Sequence, residues 1–191
     1  PTAMNRRSFL RRSTLATTVG ALGGPQLLLR AEDSATPVIG EGALKFECHH
    51  YWGRLPDGHH YGDATHGVAF DSQGFIYISH QGGPGSVFVF DPEGKFVRSM
   101  APQHQGFGHG IDIRREGNSD FIYLSPNNFG LPREKWNKAQ KLTLKGEVVW
   151  EAGPPPESHR YDKGESYNPT NISFCPDGGW HVGDGYGSSF L

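Results

Sequence analysis

The chain has 191 residues, with 18 lysines and arginines against 20 acidic residues and a formal charge of −2. That balance offers no basic field for nucleic acid or for an acidic membrane surface. With 27 glycines, 14 prolines and 12% aromatic residues, the composition excludes a helical bundle and a disordered chain and points to short, packed strands joined by turns.

Residues 1–31 form the first predicted element. "MNRRSFLRRSTLATTVGALGGPQLLLRA" places Arg6, Arg7, Arg11 and Arg12 ahead of a weakly apolar stretch from Ser13 to Leu29. "NRRSFLR" resembles the twin-arginine export signal, which implies a periplasmic or extracellular destination. Gly20, Gly23, Gly24 and Pro25 interrupt the apolar run, so no stable membrane span is expected once the signal is removed. Residues 32–43 read as a linker. Export permits a disulfide between Cys48 and Cys175, and two separate buried thiols fit the sequence as well.

From residue 44 onward the chain repeats itself. "THGVAFDSQGFIYISHQGGPGSVFVFDPEGKFVRSM" spans residues 65–100. "GHGIDIRREGNSDFIYLS" opens a second copy that runs over 108–153, and "PTNISFCPDGGWHVGDGYGSSFL" opens a third over 169–191. Each copy alternates apolar and polar residues with period two, and Gly-containing turns separate the runs. Four short strands per copy predict the blade of an all-β propeller, with "LKFECHHYWGRLPDG" (44–58) as an outer strand ahead of the first copy. A lone blade cannot bury both faces, so copies must stack. The pattern resembles the NHL family of propellers, six-bladed in its nearest branch. On that reading residues 44–191 hold about three blades, an N-terminal half inactive by itself, and the repeat continues past Leu191.

The residue ahead of each innermost strand lies near one mouth of a propeller channel. His66, His109 and Thr170 hold that place. Imidazoles from several blades can meet there on one ion, and zinc takes three protein ligands with a fourth position open in catalytic sites. In the adjacent pairs His49–His50 and His59–His60 the two rings point to opposite faces of a strand, so they read as surface or interface residues. "DPEGK" reads as a turn, without the oxygen count of a calcium loop.

"GHGIDI", "FIYLS", "NPTNISF" and "VGDGYGSS" together resemble the peptidyl-α-hydroxyglycine α-amidating lyases over roughly residues 50–191. The resemblance implies a zinc ligand at His109 and a catalytic base at Tyr186, and places the other zinc histidines in later blades; His66 is a metal candidate from its register in the repeat alone. It implies zinc as cofactor, allows a structural calcium held by channel carbonyls, and makes the partner a small-molecule or peptide-like substrate in the channel. The reaction is cleavage of a carbinolamide C–N bond. Three positions depart from the family pattern. Gln81 follows His80 where the family has arginine, Asn171 replaces an aspartate, and Gly187-Ser188-Ser189 replaces Asn-Ser-Arg. Arg54 or Arg114 could substitute for the missing charge. A non-catalytic propeller binding a protein or glycan stays open, as does a lactonase-like hydrolase, which would carry acidic channel ligands.

Overall fold

Period-two alternation and the glycines that punctuate it produce, among the described residues, twelve strands in four antiparallel sheets. The computed structural model describes residues 36–128, 137–162 and 164–191. Residues 1–31, where an export signal is expected, lie outside them, as does most of the insertion expected near 126–140. Helix among the described residues amounts to two 3-10 turns, Pro102–His104 and Pro156–Ser158. None is long and apolar enough to cross a membrane.

The chain divides into two units, one ending at His49 and the other running from His50 to Leu191. In the first, strands β1 (Val38–Glu41) and β2 (Leu44–Glu47) form a hairpin with every side chain exposed. Gly42, at φ +60°, supplies the left-handed residue its tight turn requires. Two expectations are corrected here. Part of the stretch read as linker is a strand, and residues 44–47, read as part of one outer strand over 44–58, form a separate strand paired with β1.

The second unit carries the repeat. Strands β3 (Thr65–Phe70), β4 (Ile76–His80), β5 (Val87–Phe90) and β6 (Phe96–Met100) form one antiparallel meander. Strands β7 (Gly110–Glu116), β8 (Ser119–Ser125), β9 (Ala139–Thr143) and β10 (Val148–Ala152) form the next. β11 (Asn171–Phe174) and β12 (Trp180–Gly183) make a two-stranded third sheet. The turns are held by their first residues. Asp71 Oδ1 accepts from the Gln73 and Phe75 amides at 2.9 and 3.0 Å, and its Oδ2 accepts from the Tyr77 hydroxyl at 3.0 Å. Asp91 accepts likewise from the Glu93 and Lys95 amides, so the carboxylate of "DPEGK" serves its own turn.

The second sheet stacks through both its faces, one against the first sheet and the other against the third. Ala69, Tyr77, Val87, Val89 and Met100 of the first meet Ile111, Ile122, Leu124 and Leu142 of the second. Phe121, Tyr123 and Trp150 on the opposite face of the second meet Ile172, Phe174 and Val182 of the third. Tyr123 lies edge-on to Phe174 at 4.6 Å, and Trp150 stacks on Trp180 at 5.0 Å. The outer face of the first sheet is covered over Phe88 and Phe90 by Trp52, His59 and Tyr61. Val68 and Phe70, on its innermost strand, stay 67% and 74% exposed.

His80 ends β4 wholly buried, stacked on Phe88 at 3.6 Å. Its Nδ1 accepts the Gly82 N–H at 3.2 Å, so the neutral ring carries its hydrogen on Nε2. Burial first, then the neighbouring His60 and His59, lower its pKa from 6.5 to about 4. The unfolded chain therefore takes up a proton near pH 6.5 that the folded protein refuses until about pH 4. Stability should fall by about 3 kcal/mol across that window and level off below it. Urea unfolding at pH 7 and pH 4.5 tests this. His80→Asn, which keeps an acceptor for Gly82 but cannot titrate, should lose this part of the pH dependence. An unchanged slope would show that His80 takes its proton freely in the fold.

Candidate functional site

Three inner strands bring the predicted positions together. His66 stands on β3, His109 immediately before β7, Thr170 immediately before β11, and Tyr186 in the turn after β12. The glycine following each histidine allows the approach. A β-carbon on Gly67 would stand 2.9 Å from Ile111 Cγ2 and 3.1 Å from the Ile111 nitrogen, and one on Gly110 would stand 2.3 Å from the Thr170 oxygen. Because the second obstacle is backbone, no side chain can move aside. The Ser79 hydroxyl donates to the His109 carbonyl and, at 3.4 Å, to the Gly67 carbonyl, which ties the first sheet to the opening of the second.

His109 Nδ1 lies 2.7 Å from the Thr170 carbonyl oxygen. A carbonyl only accepts, so Nδ1 carries the hydrogen. Burial, the largest influence, lowers the pKa of the ring below the ordinary histidine value. The Thr170 bond opposes that shift and His66 adds to it. The neutral ring thus presents a lone pair at Nε2, which is buried and meets no protein partner. His66 lies on one side, its ring stacked at 3.9 Å and 17°. Tyr186, 53% exposed, meets the same ring edge-on at 5.3 Å and 83°.

An ion bound to imidazole lies near the ring plane. Two nearly parallel stacked rings cannot both direct their nitrogens to one such ion, so His66 joins His109 on a metal only after its exposed side chain turns. Among the described residues no group of three His, Cys, Asp or Glu side chains is gathered to hold a metal. The fit to zinc is therefore one prepared nitrogen, His109 Nε2, and one adjustable neighbour.

The turn bearing Tyr186 is organised by Asp184, a residue that sequence reasoning passed over. It is 1% exposed. Its Oδ1 accepts the Asn168 N–H at 2.6 Å, while its Oδ2 accepts from the Tyr161 hydroxyl at 3.0 Å and the Ser188 N–H at 2.7 Å. The aspartate in "VGDGYG" was the available signal. Ser79 carried none, because its partner lies 30 residues away.

Neither remaining arginine joins the site. Arg114 lies over the Phe174 ring at 4.9 Å, towards the far end of β7, and Arg54 bridges to Lys95 beside β6. Cys48 and Cys175 are not joined in a disulfide, and Cys175 Sγ lies 3.4 Å from His181 Nδ1. His59 packs edge-on to Phe96 at 4.9 Å and stands half-buried in the apolar cover, while His49, His50 and His60 are exposed. Compared with protein-family models and with curated proteins, the sequence has no match.

Gly110→Ala should destabilise the chain by about 1–3 kcal/mol in urea unfolding and shift the His109 ring out of its Nδ1–H form in nitrogen NMR. Gly153→Ala, where a β-carbon would meet only Lys138 Cγ at 3.9 Å, should stay within about 0.5 kcal/mol. Equal effects of the two substitutions would remove the close-approach argument.

Proposed function

We propose that residues 50–191 belong to an NHL-type β-propeller of an exported protein, and that the channel mouth carries part of a zinc-dependent lyase site. The reaction is cleavage of the C–N bond in peptidyl-α-hydroxyglycine-like carbinolamides. Its main support is the Nε2 atom of His109, deprotonated, buried and without a protein partner. A second ring nitrogen tied to a backbone carbonyl is the usual support of a metal-bound histidine, because it fixes both tautomer and orientation. Two stacked four-stranded meanders and the start of a third agree with the propeller reading.

His109 would hold the metal, with His66 as the neighbour that turns towards it. Bound zinc would polarise the substrate hydroxyl. The chain's own contribution is at Tyr186, whose phenol oxygen in its ionised form takes the hydroxyl proton. The electron pair of that O–H bond becomes the new C=O, the C–N bond breaks towards nitrogen, and the nitrogen is protonated to leave an amide beside glyoxylate. Gln81 offers hydrogen bonds but no charge at the place where the family has arginine. The proposal is accordingly a reaction class, with the substrate's acidic end recognised by some other group.

Zinc titrated calorimetrically into the chain should bind through His109, with affinity falling at least about tenfold in His109→Ala and less in His66→Ala. In a protein carrying the complete propeller, Tyr186→Phe should leave zinc affinity unchanged and lower glyoxylate release from an α-hydroxyglycine substrate by about 100-fold or more. Zinc binding that survives loss of His109 sinks the metal assignment. Release unaffected by Tyr186→Phe leaves that tyrosine a packing residue.

A further inference from the structure

The hairpin of the first unit carries an edge that fits a copy of itself. Opposite residues share a face, so Ile39, Phe46, Glu41 and Leu44 stand on one side of the hairpin. Val38, Glu47, Gly40 and Lys45 stand on the other. All are exposed, Leu44 at 70% and Phe46 at 60%. Two short strands are marginal by themselves in water, and a wider sheet stabilises them. Among the described residues no third strand adjoins either one.

The two outer edges differ. Along β1, Gly40 holds φ at +105°, outside the extended range, which breaks the row of backbone groups on that side. β2 keeps one register from Leu44 to Glu47. Just beyond it, the Cys48 N–H donates to the Pro37 carbonyl at 2.7 Å, so Cys48 turns its backbone groups towards the β1 side. Alternation along an antiparallel strand gives Phe46 and Leu44 the same orientation, and it turns the groups of Lys45 and Glu47 to the open edge. The two residues able to accept a further strand thus carry opposite charges on one face.

We propose that β2 is a self-association edge, paired antiparallel with β2 of a second copy about a two-fold axis between the two Phe46 residues. Charge selects this register. One centred on Lys45 would set lysine against lysine, and one centred on Glu47 would set glutamate against glutamate. Centred on Phe46, each Lys45 lies opposite Glu47 of the other copy, in pairs that exchange both backbone hydrogen bonds. Phe46 then meets its own copy where opposed side chains come closest, and Ile39 extends the apolar row at either end. Glu47 Oε2 meets His49 Nε2 at 3.3 Å, which leaves Oε1 for the incoming ammonium. A lysine on an edge repels chance strands, whereas an edge that offers acid to its own lysine favours an identical partner. Four-residue strands bury less than the roughly 1,000 Å² of a stable complex, so the dimer is weak and forms at tens of micromolar or above. The proposal is independent of the metal and of the propeller.

Sedimentation velocity on the full chain under reductant, from about 5 to 500 μM, should show a monomer–dimer equilibrium. Lys45→Glu and Glu47→Lys each oppose like charges and should weaken it by about tenfold or more. Mixed in equal amounts, those two variants are complementary again and should form a mixed dimer as strong as the original. That recovery would also show that both variants fold. Phe46→Cys, with Cys48 and Cys175 changed to serine, should link two copies through a disulfide on mild oxidation, because opposed α-carbons at that place lie about 4.5 Å apart. Lys45→Cys in the same background faces Glu47 and should not link. The proposal is overturned by a monomer at every concentration, by single variants that dimerise like the original, or by a mixture no stronger than its parts. Linkage through Lys45→Cys as ready as through Phe46→Cys would overturn it too.

Discussion

At the inner edge of the second sheet, the backbone around Thr170 passes so near Gly110 that no β-carbon fits between them. Glycine there carries information about its neighbour. Because the two backbones touch, the ring of His109 reaches the Thr170 carbonyl, and because that bond forms, one ring nitrogen is fixed as a donor. The same closeness at Gly67 brings His66 onto the face of His109. Packing between sheets thus sets the chemistry of a side chain that neither sheet could prepare alone.

Two histidines, one wholly buried and one half-buried, show how far surroundings decide a role. His80 accepts a hydrogen bond at Nδ1 and must keep its hydrogen on Nε2, inside an aromatic cover. His109 donates at Nδ1 and keeps Nε2 as a base. Burial disfavours the charged ring in both. One is a structural cap equivalent in place to Asp184, which caps its own turn with a carboxylate. The other keeps a buried lone pair with no protein partner. Residue type alone separates neither from the other.

The strands between residues 65 and 183 were legible because their signals are local. Alternating apolar residues and turns opening with aspartate or threonine specify β3 to β12 closely. The pair His-Gly pointed to the inner edge for the same reason, since the glycine is required where the histidine is useful. Contacts between distant residues left weaker traces. Ser79 looks like any strand serine until the His109 carbonyl is placed against it. The hairpin of β1 and β2 was missed because all its side chains are exposed, so no burial pattern separates it from a linker. Parallel stacking of His66 on His109 also lay beyond reach, because in-register positions say nothing about ring orientation.

Trp150 and Trp180, from the second and third sheets, lie 5.0 Å apart with planes 17° from parallel. Indoles held that close and that nearly face to face share their excited states. Their electronic transitions couple, which splits the circular dichroism of the indole bands, and each ring alters the emission of the other. The seam between the two sheets therefore carries an intrinsic optical marker. Loss of the coupled signal with the rest of the spectrum retained would report the third sheet lifting from the second while both meanders remain folded.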